Sequence, residues 1–177
     1  MAERVAIFID GSNLYHSLKN TFKKTNLDFE AFCKKLVGRR KLVRIYYYNA
    51  AVDQTKEKMR YQDQQRFFRQ IARVPYLEVK LSRLIYHHGW PSVPPYEKGL
   101  DVQLATDMLV QCSRDNYDVA VLVSGDSDFA PAVQAVKDEG KHIEIVLIGP
   151  KGSSQSLRDK ADKVVAVDAQ LLTDCWK

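Results

Sequence analysis

Three aspartates stand where short apolar runs give way to small polar residues. Residues 5–14 read VAIFIDGSNL, so an apolar run delivers Asp10 with Gly11, Ser12 and Asn13 directly behind it. The run VAVLVSGDSDF ends in the same way, in Ser124, Gly125, Asp126, Ser127 and Asp128. A further acid, Asp101, opens the segment GLDVQLATDMLVQC. On a helix advancing about 100° per residue, Asp101 falls near the centre of the apolar arc of Leu100, Leu104, Ala105, Met108, Leu109 and Cys112. It is therefore expected to face inward, where an unpaired carboxylate is unfavourable. Asp107 falls on the opposite face with Gln103, Gln111 and Arg114 and is expected to be solvated.

Each acid also has an ordinary explanation. Asp128 could cap a helix starting at Phe129, and Asp10 or Asp126 could accept backbone N–H groups in a turn. Those roles leave convergence unexplained, because carboxylates gathered in one place repel and raise one another's pKa. A divalent cation removes the repulsion. With no Cys or His within five residues of Asp10, Asp101, Asp126 or Asp128, oxygen ligation favours Mg²⁺ or Mn²⁺ over zinc. Such an ion also binds phosphates and can activate water towards a phosphodiester.

The elements that must position these acids alternate along the chain. Strands are expected at Val5–Ile9, Leu42–Tyr48, Leu77–Ile85, Val119–Val123 and Ile143–Ile148, with a weaker one at Val164–Val167. Helices are expected at Leu14–Thr21, Asp28–Val37, residues 54–73, Leu100–Arg114, Phe129–Glu139 and Gln155–Lys160, with a last helix at the end. Between them YHHGWPSVPPYEKG reads as a loop, since its prolines and glycines disfavour helix and central strand. Near-continuous apolar strands alternating with helices imply an α/β fold with a central parallel sheet of five or six strands and helices on both faces. Ligands of such sheets bind beyond the carboxyl ends of the strands, where the strand order reverses.

The totals fit this outline. The 177 residues suit a single domain over 1–177, and 45% hydrophobic with 28% charged residues is ordinary for a globular chain. No apolar run is long enough to cross a bilayer and the N-terminus lacks the apolar stretch of a signal peptide, so a cytoplasmic location is expected. Cys33, Cys112 and Cys175 are too widely spaced for a zinc pattern and odd in number, so free thiols are expected. Residues 1–99 carry 19 Lys and Arg against 9 Asp and Glu, whereas residues 100–177 carry 8 against 13. A basic half could hold an anionic polymer while an acidic half holds a metal.

The motifs FIDGSNL, KGLDVQLATDM and VLVSGDSDFAPAV, in this order and spacing, resemble the NYN domains, the PIN-like nuclease relatives that include LabA-like bacterial proteins. SSQSLRDKAD further on resembles the same family's C-terminal pattern. The resemblance spans nearly the whole chain. It implies a Rossmann-like PIN fold and a metal-dependent ribonuclease whose Mg²⁺ or Mn²⁺ is held by Asp10, Asp101, Asp126 and Asp128. Ser12, Asn13 and Ser124 would orient those carboxylates or a water. Asp107 matches a family acid, against its place on the wheel, and Lys98 matches a lysine that could touch a phosphate.

Other candidates follow from chemistry alone. Trp90 and Tyr96, with Arg83 and Lys98 nearby, could stack on and hold single-stranded RNA, or could pin the loop to the body. DNA would satisfy the same groups, and a homodimer is compatible with the resemblance. Arg60, Arg66, Arg69 and Arg73 could track phosphates or form a solvated face. Tyr46, Tyr47 and Tyr48 alternate faces and read mainly as core. His87 and His88 read as solvated loop residues. A haloacid-dehalogenase phosphatase would need an acid at position 12, which is Ser12. The rival from another class is the same fold as a catalytically silent RNA-binding or regulatory module.

Overall fold

The computed structural model describes residues 2–149 and 155–177. Its strands are β1 Arg4–Asp10, β2 Lys41–Ala51, β3 Leu77–Ile85, β4 Tyr96–Glu97, β5 Val119–Val123, β6 His142–Ile148 and β7 Lys163–Val167. Its helices are α1 Gly11–Phe22, α2 Phe29–Val37, α3 Lys58–Ile71, α4 Leu100–Ser113, α5 Ala130–Asp138 and α6 Gln155–Lys160, with a 3-10 turn at Ser127–Phe129.

The strands form one sheet in the order β4-β3-β2-β1-β5-β6-β7. All neighbours run parallel except β3 and β4. The expectation of five or six parallel strands therefore changes to seven, six of them parallel. The extra strand lies inside the proline-rich loop, where Leu84 and Ile85 pair with Glu97 and Tyr96. Prolines exclude a central strand there but permit a short edge strand that begins after Pro95.

Alternation along the strands divides the core in two. Val5, Ile7, Ile9, Ile45 and Tyr47 pack with α1, α2 and α3, while Ala6, Phe8, Tyr46 and Tyr48 pack with α4, α5 and Leu157 of α6. The strand order reverses between β1 and β5, whose carboxyl ends carry Asp10 and Ser124.

The turn from β1 into α1 is unusually tight. A Cβ on Gly11 would sit 2.5 Å from the Tyr47 ring and 2.6 Å from the Tyr48 carbonyl oxygen, so only glycine fits. Asp10 can thus end a buried strand and cap a helix within one residue step.

The expected last helix is absent. Residues 169–174 form turns, with the Leu171 N–H bonding Asp168 Oδ1 at 2.7 Å and the Leu172 N–H bonding the Asp168 carbonyl at 3.2 Å. The chain then runs back so that Trp176 bridges Leu27, and the Cys175 carbonyl accepts from the Asp28 N–H at 2.8 Å. No described helix is long and apolar enough to cross a membrane. Ser153 and Ser154 of the SSQSLRDKAD pattern lie outside the described residues.

Candidate active site

Asp10 is the last residue of β1 and only 6% exposed. It caps α1 by accepting the Asn13 N–H on Oδ1 at 3.0 Å, and its Oδ2 accepts the Ser124 hydroxyl at 3.0 Å. Ser124, at the end of β5, accepts the Asp126 N–H on Oγ at 3.2 Å. The Asn13 side-chain oxygen accepts the Gly125 N–H at 3.1 Å. The DGSN and SGD segments are therefore tied to each other, and the hydrogen bonds fix the carboxylate of Asp10 in one orientation.

Asp126 caps the 3-10 turn by accepting the Asp128 N–H at 3.0 Å. Asp126 thus accepts a backbone N–H in a turn, as its ordinary reading allows, while Asp128 lies exposed inside that turn and not at its cap. Asp101 sits in the first turn of α4. Contrary to its place on the wheel, it is exposed: the buried stripe of α4 is Leu100, Leu104, Met108 and Cys112, and Asp101 leans from its edge into the cleft. The buried i, i+4 stripe drifts by about 40° every four residues, so in the first turn it is centred on Leu100, about 100° away from Asp101.

Asp10, Asp101 and Asp126 line one cleft of about 860 Å³, and a fourth acid, Glu97 of β4, completes it. Sequence reasoning passed over Glu97 because the loop around it read as structureless. Its spacing four residues before Asp101, across the Gly99 turn, was the available signal. Ser12, Asn13, His16, Ser17, Asn20 and Thr21 of α1 form the opposite wall. Asp128 and Asp107 do not line the cleft. Asp107 is half-buried rather than solvated, accepting the Tyr48 hydroxyl at 2.9 Å.

The acids perturb one another. Burial raises the pKa of Asp10, the Asn13 N–H and Ser124 hydroxyl oppose the rise, and the charges of Asp101 and Asp126 add to it. Glu97 is raised by burial, opposed by the Ser12 hydroxyl, with Asp10 and Asp101 adding again. Partial desolvation in the cleft raises Asp101, followed by the charges of Asp126 and Asp128. Among the described residues, no three His, Cys, Asp or Glu side chains converge closely enough to hold a metal ion as they stand.

The candidate RNA contacts of the loop sit elsewhere. Trp90 packs edge-on against Tyr86 at 5.1 Å between centroids, and Tyr96 stacks on His87 at 4.9 Å. Arg83 and Lys98 are exposed, and none of these four lines the acid cleft.

The NYN domain family matches residues 4–168, and the chain belongs to that family. It is 29% identical over 81% of its length to the low amplitude and bright protein LabA of Synechococcus elongatus, covering 73% of that protein. It is 30% identical over 56% of its length to an uncharacterised protein of Methanocaldococcus jannaschii, of which the match covers 40%. A crystal structure of a protein of unknown function from Vibrio parahaemolyticus superposes with a TM-score of 0.74 at 27% identity, covering 95% of this chain and 94% of that one.

Proposed function

We propose that this protein is a metal-dependent ribonuclease that hydrolyses phosphodiester bonds of single-stranded RNA. The observation that carries the reading is the cleft itself: Asp10, Glu97, Asp101 and Asp126 face one space with no salt-bridge partner among the described residues. A group of mutually repelling acids is unfavourable for folding and asks for a cation. The chemistry of the donor set fits Mg²⁺ or Mn²⁺, all ligands being carboxylate oxygens. Mg²⁺ commonly uses only one or two protein carboxylates and completes its shell with water and phosphate, so three converging ligands are not required.

Asp10, Asp101, Asp126 and Glu97 would hold the cation. Asn13 and Ser124 use one lone pair on each oxygen of Asp10 and leave the others for a ligand. Ser12 lines the same cleft as Glu97, and its hydroxyl opposes the rise in the Glu97 pKa. When bound, a divalent cation supplies charge neutralisation and polarisation of the phosphodiester. Asp128 acts on Asp101 through its charge, and Asp107 through its bond to Tyr48 belongs to the packing of α4 on β2.

The test is cleavage of an end-labelled single-stranded RNA by wild type and by Asp126→Asn in Mn²⁺, Mg²⁺ or EDTA. Metal-dependent cutting that falls at least about 100-fold in the variant is the expected result. Binding without cutting by both proteins would overturn the reading in favour of a silent RNA-binding module.

A further inference from the structure

Beside the acid cleft lies a second cavity of about 410 Å³, between α1, the end of β2 and α3. The two adjoin, sharing Ser12, His16 and Glu97. Their walls differ in kind. The cleft presents mainly carboxylates, hydroxyls and amides. The cavity has an aromatic wall in which Phe29, Tyr47 and Phe67 meet at 5.4 to 5.8 Å between centroids.

Helix α1 is the partition. Asn13 and Ser17 lie on the cleft side, Leu14 and Leu18 on the cavity side, and Ser12 and His16 on the boundary one turn apart. A phosphodiester held against the acids would place its sugar over this boundary. A flanking base, flat and apolar with polar edges, finds no Phe, Tyr or Trp face in the cleft but meets three immediately across it. Tyr15 stands exposed at the cavity rim with the Lys19 ammonium 5.8 Å from its ring centre, offering a cation near the backbone and a face for the base. The Tyr47 hydroxyl accepts from Asn49 Nδ2 at 3.2 Å, and no acceptor among the described residues takes its own proton, leaving it to donate to a base edge.

We propose that this cavity seats a single nucleobase, that of the nucleotide adjoining the phosphodiester held at the acids, swung out of a single strand. The proposal rests on the ribonuclease reading above and adds to it a base requirement at one position. A cavity of this size lies within the range of small-molecule sites and is far too small for a duplex, so the base must be unstacked and unpaired to enter.

The experiment uses a set of short RNAs of one sequence, each with one base replaced by an abasic ribose. Binding is followed by fluorescence anisotropy in Ca²⁺, an oxygen-ligated cation that neutralises the acids, and cleavage is followed in Mn²⁺. Removing the base at one position is expected to weaken binding, and cutting at the neighbouring bond, about tenfold, with little effect elsewhere. Tyr15→Ala, at an exposed rim position, should weaken intact RNA about fivefold and leave that abasic RNA unchanged. Cleavage that tolerates abasic sites everywhere would overturn the base pocket and leave the ribonuclease reading standing. Position-dependent binding with no cleavage would keep the pocket and overturn the ribonuclease. Absence of any binding would overturn both.

Discussion

The two edges of the sheet treat the same residue types in opposite ways. At the amino-terminal edge, where β1, β2, β5, β6 and β7 begin, every prominent acid has a basic partner. Asp118 is held by the Arg4 guanidinium at 2.7 Å, Asp162 by Lys137 at 3.1 Å, and Glu144 by Arg40 at 2.8 Å with Lys163 at 3.4 Å. Arg4 depresses the pKa of Asp118 to about 2 through its side chain and its backbone N–H, and Lys141 and Arg4 depress that of Asp115. At the carboxyl-terminal edge Asp10, Glu97 and Asp101 are raised, by burial and by each other. Paired acids hold strand ends together, whereas converging acids without a basic partner lower stability by an amount that a cation bound there would offset.

The comparison is broken most sharply at Arg40. Its guanidinium grips both oxygens of Glu144, at 2.8 and 3.1 Å, and also donates to the carbonyls of Val37 and Leu36, tying the end of α2 to β6. Glu144 is 8% exposed. Arg40→Ala leaves that carboxylate with Lys163 alone and should lower stability by about 3 kcal/mol in urea unfolding, with metal-dependent cleavage per folded molecule unchanged. A loss of activity in the folded fraction would show that the two edges are not separable.

The converse substitution lies at Asp10. Asp10→Asn keeps an acceptor for the Asn13 N–H and removes a charge from the acid cluster. Its stability without metal should stay within about 1 kcal/mol of wild type or rise, while RNA cutting is lost. Wild type should also gain melting temperature in millimolar Mn²⁺, by mass action, and the variant should not. A variant that unfolds readily would mean that Asp10 is a structural cap first and a ligand second.

How much of this was legible in the sequence follows from which forces are local. β1 and β5 were readable because both faces are buried and every residue of Val5–Ile9 and Val119–Val123 is apolar, and their ends could be placed at the Asp10 and Ser124 breaks. Their pairing with each other was not legible, because nothing local records which strands meet after a crossover. Asp101 was misplaced because a helical wheel projects all turns onto one circle, while the buried stripe drifts along α4 and lies over Leu100, not Asp101, in the first turn. Glu97 was missed for a related reason. Its position is set by a two-residue pairing with Leu84 and Ile85, a long-range contact that leaves no periodicity. The expected terminal helix failed because the contact between Trp176 and Leu27 competes with one more helical turn.

The smallest effect is the most discriminating between the edges, because it reads both in one measurement. Asp118 has a folded pKa below its unfolded value near 3.9, so its contribution to stability is present above about pH 4 and is lost as pH falls towards 2. Asp10, Glu97 and Asp101 have folded pKa values above their unfolded ones. The folded state therefore binds their protons more tightly, and stability from these groups increases as pH falls through the raised values, reaching its full amount below the unfolded values. In chelator, wild type should gain a fraction of a kcal/mol relative to Asp10→Asn between pH 7 and about pH 4.5, and both should lose stability together below that. Mn²⁺ should abolish the relative gain, because a cation at neutral pH does for these carboxylates what protons do in acid. Superimposable pH curves for the two proteins in chelator would mean that Asp10 has no raised pKa in the folded state, leaving no unfavourable charge there for a cation to offset.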